Sequence, residues 1–199
     1  MKTQIKSTLL ALAIVLPASG ASTVANEMLV LQPQSRLWID GTSSIRSFSC
    51  KAAEVNAVVE ATGPNAIPQL LLADKGVKSV RVTVPAERLD CGNGTMNEHM
   101  RKAIKLSEFQ SIEFRLSDYD VARSADGVSG TINGTLLLGG VTKPVTLKAD
   151  GKPEGGMLHI TGSYDLDMTD YGLKPPTLMF GRIKVGRTVK VNYDLLLKS

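Results

Sequence analysis

The side chains of this sequence best suited to coordinate a metal are two methionines, one histidine and two cysteines: Met96, His99, Met100, Cys50 and Cys91. Soft ligands of this kind bind copper in an oxidising compartment. A blue-copper site, however, needs two histidines and a thiolate in a defined order, and that order is absent from this sequence. We therefore expect no metal site, and we expect His99 to be an exposed residue of a helix.

Three neighbouring carboxylates, Asp165, Asp167 and Asp170, are the candidates for acid–base catalysis. Asp165 and Asp167 alternate with large apolar residues, which places both on the solvated face of a strand. Asp170 with Tyr171 is expected to fix the turn before Pro175. The sequence also lacks a nucleophile elbow, a metal-hydrolase histidine pair and a phosphate-binding loop. We therefore predict a protein without catalytic activity.

The first 25 residues have the pattern of a secretory signal peptide. Lys2 and Lys6 precede an apolar run at 9–16, which small residues follow. This run is far shorter than the roughly 20 residues that a membrane span requires. We expect cleavage after Ala25, with Ala21 as the alternative, and export to the periplasm.

Removal of residues 1–25 leaves 174 residues and lowers the net charge from +4 to +2, because Lys2 and Lys6 are lost. This length fits one domain, residues 26–199, with a substantial core. A near-neutral balance of interspersed charges gives no electrostatic footprint for nucleic acid or for an anionic membrane. If the protein carries a lipid, any membrane contact is expected to be only transient.

Two cysteines in an exported chain predict one disulfide, between Cys50 and Cys91. Closing a loop of about 40 residues contributes roughly 4 kcal/mol in the chain-entropy description of disulfides. The alternative is a pair of free thiols with a metal or redox role, but the sequence has no C-x-x-C pair to favour it.

Alternation of large apolar and polar residues predicts the elements that position these side chains. It is clearest from Leu158 to Met168, where Gly162 is the one gap on the apolar face. A period of two indicates a strand with one wet face. The same pattern predicts eight strands, the number that closes a barrel with room for one slender ligand. They are 35–40, 47–61, 77–85, 111–122, 130–138, 143–150, 157–168 and 187–198.

The connections carry further patterns. A bend is expected near Ala52, and a loop over 62–75 is expected to pack on a barrel end, with a helical turn at 68–73. Gly139-Gly140 is preferred as a hairpin turn to Asn133-Gly134, which would cut its strand short. Thr95 with Glu98 forms a capping box that predicts one short amphipathic helix ending near Ser107. Its apolar face holds Met96, Met100, Ala103 and Ile104.

Several segments, taken in order, carry a resemblance to a known family. They read WIDGTSSIRSF at 38–48, GNGTMNEHMRKAIK at 92–105 leading into SIEF at 111–114, GTLLLGGVTKPV at 134–145, and DYGLKPP at 170–176 with IKVGRTV at 183–189. The chain resembles the YceI-like proteins, a periplasmic polyisoprenoid-binding group with a lipocalin-like extended barrel. It departs from many relatives in having Arg46 in place of a histidine and Gln110 in place of a proline.

The resemblance implies an all-β, eight-stranded antiparallel lipocalin-like barrel with one short amphipathic helix. It also implies a carrier of a long apolar lipid, of the isoprenoid class such as a polyprenyl chain or a quinone, with no other cofactor. Small inward residues at Ala57, Gly134, Ala149 and Gly162 leave volume for such a tail. The alternative is a stress-related structural or interaction protein whose barrel is filled by its own side chains. A homodimer is possible in either case.

Fifteen residues are expected to line the barrel and contact the ligand. Some of these residues lie in the segment 168–180, which is expected to form either a mobile mouth or a rigid crossover that caps the barrel. The predicted lining is Ala57, Val82, Met100, Ile104, Phe114, Gly134, Leu136, Ile160, Gly162, Tyr164, Leu166, Met168, Tyr171, Met179 and Phe180.

Overall fold

The computed structural model describes residues 27–199, so the predicted signal peptide lies outside the described residues. Thirteen strands lie in this range: β1 (Met28–Leu31), β2 (Arg36–Thr42), β3 (Ser47–Ala52), β4 (Asn56–Ala61), β5 (Val77–Pro85), β6 (Leu89–Asp90), β7 (Ser111–Ser124), β8 (Gly127–Leu138), β9 (Val141–Glu154), β10 (Met157–Asp167), β11 (Thr177–Leu178), β12 (Ile183–Lys184) and β13 (Thr188–Lys198). The helices are α1 (Ala66–Leu71) and α2 (Gly94–Ala103), with 3-10 turns at Ala86–Arg88 and Met168–Tyr171. Within residues 27–199 no helix has the length and apolar character needed to cross a bilayer.

The sheet closes into an antiparallel barrel of eight strand positions, as predicted. Around the barrel, β1 pairs with β4, and β5, β7, β8, β9, β10 and β13 follow in order. β13 closes the ring, because Leu197 pairs with Leu31 of β1 while Tyr193 pairs with Leu37 of β2. β1 and β2 are thus two pieces of one barrel strand, and β3 and β4 are two pieces of the next.

The predicted elements differ from the observed ones mainly at breaks in the strands. The gap between β3 and β4, at residues 53–55, confirms the bend expected near Ala52. Residues 28–31, which precede the first predicted strand, form β1, which was missed because a four-residue strand carries little alternation. The turn lies at Gly139 and Gly140, whose φ angles are 55° and 81°, the left-handed region that this turn requires.

The two ends of the barrel are built differently. One, the α1 end, carries α1 and the turns at 125–126 and 155–156. The other, the α2 end, carries the loop 43–46, α2, Gly139-Gly140 and the segment 168–187. α1 seals its end with Ala66, Ile67 and Leu70, which are buried. The expected helical turn at 68–73 is therefore confirmed as a short helix that begins two residues earlier.

α2 begins and ends differently from its prediction. Its N-cap is Asn93, whose side chain accepts a hydrogen bond of 3.1 Å from the backbone N–H of Met96. The capping box at Thr95 and Glu98 is therefore wrong, since Asn93 takes the cap two residues earlier and Glu98 instead pairs with Lys102 at 2.7 Å. The helix ends at Ala103, not near Ser107.

A disulfide joins Cys50 of β3 to Cys91, which lies three residues before α2. The sequence separation of the two cysteines is 41. The bridge therefore fixes the start of α2 to the barrel wall.

We predict that the double substitution Cys50→Ala/Cys91→Ala lowers the free energy of unfolding by about 2–4 kcal/mol, because it releases a long loop in the unfolded chain. Urea denaturation of both proteins measures the difference. Wild-type protein treated with a reductant serves as the control and should lose a similar amount. An unchanged denaturation midpoint in the double variant would contradict the stabilising role of the bridge.

Candidate functional site

The interior of the barrel contains a cavity of about 400 Å³. This volume falls within the range of about 300–1,000 Å³ that is usual for small-molecule sites. Among the described residues, its lining holds no Lys, Arg, Asp or Glu; the polar side chains that reach it are His99, Tyr119, Tyr164 and Tyr193. An environment without charged side chains is suited to an apolar ligand.

Two buried clusters bound the cavity. The cluster at the α1 end contains Leu29, Val59, Ala61, Ala66, Ile67, Leu70, Tyr119, Leu158 and Leu197. The cluster at the α2 end contains Leu138, Leu166, Met168, Tyr171, Leu173 and Val189. No residue of α2 is buried, and its Met96 and Met100 line the cavity while remaining partly exposed, as does Leu178 of β11. The cavity is thus sealed at the α1 end and borders solvent beside α2.

Ten of the fifteen predicted lining residues do line the cavity. Strand alternation placed seven of them correctly because the pleat of each strand sends alternate side chains inward, and helical spacing placed Met100 and Ile104. Their contact with a ligand stays a prediction. They are Ala57, Val82, Met100, Ile104, Phe114, Leu136, Ile160, Tyr164, Leu166 and Met168.

Gly134 and Gly162 do not provide the free volume expected of them, because aromatic rings occupy it. A Cβ on Gly134 would lie 2.5 Å from Phe114, and one on Gly162 would lie 2.5 Å from Cζ of Tyr193. Cross-strand aromatic cover of a sheet glycine is a recognised stabilising arrangement. The Tyr193 hydroxyl donates a hydrogen bond to the carbonyl of Lys148, and burial raises the pKa of Tyr193 to about 12.

Three other predicted residues lie away from the cavity. Tyr171 is 2% exposed within the cluster at the α2 end, where burial raises its pKa to about 12. Met179 and Phe180 lie in solvent at the tip of the β11–β12 hairpin. The segment 168–180 therefore has two parts. Its residues up to Leu173 form a cap with a buried cluster, and the residues after Leu173 enter a hairpin that projects into solvent.

His99 is the clearest residue that the sequence prediction misplaced. It was expected in solvent, but it is half-buried and lines the cavity. The pattern that reveals it is the helical spacing of Met96, His99, Met100 and Ala103, which puts the imidazole on the apolar face. Phe48 and the disulfide line the same part of the cavity and were also missed.

Among residues 27–199, no three His, Cys, Asp or Glu side chains cluster in a way that could hold a metal ion. Cys50 and Cys91 are bonded to each other, so neither is available as a thiolate. The sulfur of Met96 instead accepts a contact of 3.7 Å from the Arg46 guanidinium.

The carboxylates from 165 to 170 have structural contacts. Asp167 accepts hydrogen bonds from the hydroxyl and backbone N–H of Thr169, at 2.6 and 2.9 Å, and these bonds lower its pKa. It also pairs with Arg187 at 2.7 Å. Asp165 lies 3.9 Å from Lys190 on the outer face. Asp165 and Asp167 thus each have a partner on the outside of the barrel.

His159 lies on the outer face of β10, as its strand parity predicts. Its two ring nitrogens each lie 2.7 Å from a carboxylate oxygen, of Glu154 on one side and Asp194 on the other. Asp194 also pairs with Arg36, and this hydrogen bond is the main reason that its pKa is lowered. The group stabilises the outside of the barrel and does not reach the cavity.

A closed eight-position antiparallel barrel with an apolar interior cavity is the architecture of the lipocalin-like barrels. Over residues 39–197 the chain matches the YceI-like domain, and it belongs to the YceI-like family. UPF0312 proteins of Pseudomonas paraeruginosa and Pseudomonas aeruginosa are each 33% identical to it over 101 residues, which are 48% of this chain and 52% of each relative. The chain spans about half the length of the curated relatives that it matches.

Solved structures share the fold at low sequence identity. BcnA of Burkholderia cenocepacia superposes with a TM-score of 0.61 at 14% identity, covering 81% of this chain and 95% of BcnA. A polyisoprenoid binding domain from Saccharophagus degradans gives 0.58 at 11% identity, covering 86% of this chain and 97% of that domain. The YCEI protein of Campylobacter jejuni gives 0.57 at 16% identity, covering 74% of this chain and 82% of that protein.

We predict that Gly162→Ala destabilises the protein by about 1–3 kcal/mol, because the added methyl group displaces the Tyr193 ring and meets the Lys148 carbonyl. Urea denaturation measures the change. Gly94→Ala is the matched control, since nothing lies within 4 Å of a Cβ there and alanine suits the start of a helix. Equal stability of Gly162→Ala and wild type would show that the packing of the Tyr193 ring does not require glycine at position 162.

Proposed function

We propose that this protein is a non-catalytic carrier that encloses the apolar chain of an isoprenoid lipid, of the polyprenyl or quinone type, in the barrel cavity. The observation that carries the proposal is the cavity of about 400 Å³ whose described lining has no charged side chain. Burial of each methylene of an apolar chain contributes about 0.8 kcal/mol. Affinity therefore accumulates along the chain without a polar anchor.

The polar end of such a lipid is expected to lie at the α2 end. The α1 end is sealed by buried Ala66, Ile67 and Leu70 and offers no partner for a head group. At the α2 end the half-buried His99 imidazole lines the cavity between Met96 and Met100. An imidazole can donate a hydrogen bond to a carbonyl or a phosphate oxygen, so it suits either a quinone or a polyprenyl phosphate.

The family supports the ligand class, since a solved neighbour with the same fold is described as a polyisoprenoid binding domain. The competing function, a structural or interaction protein with a filled barrel, requires side chains to occupy the interior. The interior volume of about 400 Å³ that side chains leave unfilled favours the carrier. Export to the periplasm, where the disulfide would persist, is part of the same proposal.

Native mass spectrometry of protein purified from its own host, followed by lipid extraction, tests the proposal directly. We expect an added mass that extracts as a prenyl lipid, and we expect the emptied protein to take up a prenyl lipid from detergent. A clean lipid-free mass together with no uptake on titration would overturn the carrier function.

Ala149→Leu and Ala57→Leu test where the lipid binds. Both alanines line the cavity, so the larger side chain fills part of it and should weaken uptake by roughly tenfold or more. Ala122→Leu is the matched control, because Ala122 is exposed on β7. Wild-type uptake by both cavity variants, with folding confirmed by circular dichroism, would place the lipid elsewhere.

A further inference from the structure

Three large apolar side chains lie in solvent together at the α2 end. Ile45 and Met179 are each 63% exposed, and Phe180 is fully exposed. Ile45 belongs to the loop between β2 and β3, and the other two form the tip of the β11–β12 hairpin. Exposed large apolar residues grouped in this way mark a surface that contacts an apolar partner.

The hairpin tip has an unusual composition for its backbone conformation. Met179 and Phe180 have φ angles of 49° and 54°, the left-handed region that favours glycine and asparagine in tight turns. The turn is closed by hydrogen bonds of 3.1 Å from Gly181 to Leu178 and 3.2 Å from Arg182 to Met179. Bulky side chains here are unfavourable both for the backbone and for solvation, and neither one packs in the core. A partner that buries them would offset both costs.

The hairpin and the loop form one surface, because several hydrogen bonds connect them. The backbone N–H of Ser44 donates to the carbonyl of Lys184 at 2.9 Å, and the Ser44 hydroxyl donates to the carbonyl of Arg182 at 3.3 Å. Ser43 also pairs with Val185 in an isolated bridge. We call this surface the rim; its residues are Ile45, Arg46, Met179, Phe180, Arg182 and Lys184.

The two chain segments that form the rim are rich in cations. Residues 171–193 contain five Lys or Arg and no Asp or Glu, and residues 41–53 contain two Lys or Arg and again no carboxylate. Two of these seven cations, Arg187 and Lys190, pair with Asp167 and Asp165 of the neighbouring strand. The cations of the rim, Arg46, Arg182 and Lys184, are exposed, and none forms an ion pair with a described residue. Apolar tips bordered by cations match the interfacial region of an anionic bilayer.

We propose that the rim is a membrane-docking surface, with Phe180, Met179 and Ile45 entering the interface and the cations contacting anionic lipid head groups. The cavity borders solvent at this same end, where Leu178 of the hairpin belongs to its lining. Docking would thus bring the open side of the cavity to the membrane. The purpose of docking rests on the proposed function, because an apolar chain leaves the bilayer most easily without crossing water.

Flotation with vesicles tests the docking surface on the intact protein. Vesicles of phosphatidylcholine with phosphatidylglycerol should bind the protein, and vesicles of phosphatidylcholine alone should bind it much less. Phe180→Ser should weaken binding roughly tenfold. Arg182→Glu/Lys184→Glu should weaken it by about fivefold or more for each cation removed. Binding should also decline as salt is raised.

Two matched controls separate the rim from general effects. Val58→Ser removes another exposed apolar side chain, on β4, and Lys152→Glu/Lys198→Glu makes the same change in net charge near the α1 end. Both should bind vesicles as wild type does. Equal binding by rim and control variants, or no binding of wild type to anionic vesicles, would overturn the docking surface.

Prenyl-lipid uptake from detergent, measured on the same variants, distinguishes this proposal from the carrier function. Uptake without vesicle binding would reject docking and leave the carrier function in place. Vesicle binding without uptake would support docking and reject the carrier function.

Discussion

Burial of one apolar sheet face against itself is the interaction on which the rest of the structure depends. Every barrel strand has a wet face and a dry face, and a flat sheet of such strands would leave the dry face in water. Pairing of β13 with β10 on one edge and with β1 and β2 on the other removes that face from solvent. An eight-strand ring has room for side chains and one small ligand, and here two buried clusters occupy its ends while the cavity lies between them.

Alternation in the sequence was enough to predict the barrel, and it placed residues such as Val82, Leu136 and Ile160 correctly on the inside. It could not predict what lies above each inward position, because that depends on register between strands. Gly162 looked like free volume in its own strand, but its partner across the ladder is Tyr193, and the ring covers it. The helical spacing placed His99 beside apolar residues. The prediction still failed, because histidine is found about as readily in solvent as in partly buried positions.

The two ends of the molecule differ in burial and in charge, and the net charge and composition of the whole chain do not show this difference. At the α1 end a short helix inserts Ala66, Ile67 and Leu70 into the barrel, and the interior stops there. At the α2 end the longer helix stays half-exposed, and the disulfide attaches the residues just before it to the wall. Cations that are dispersed along the sequence collect beside this second end because the loop 43–46 and the hairpin near Arg182 are bonded together.

The position of β13 has a consequence for the order of folding. It is the last strand of the chain, yet it pairs with β1 and β2, the first two that the structure describes. A chain that crosses a membrane amino end first would present its opening strands long before their partner arrives. Their apolar side chains and unpaired edges would then be exposed to aggregation during that interval. The ring closes only when β13 pairs with β1 and β2, so the contacts that complete the interior join residues far apart in sequence, which is typical of slowly folding topologies.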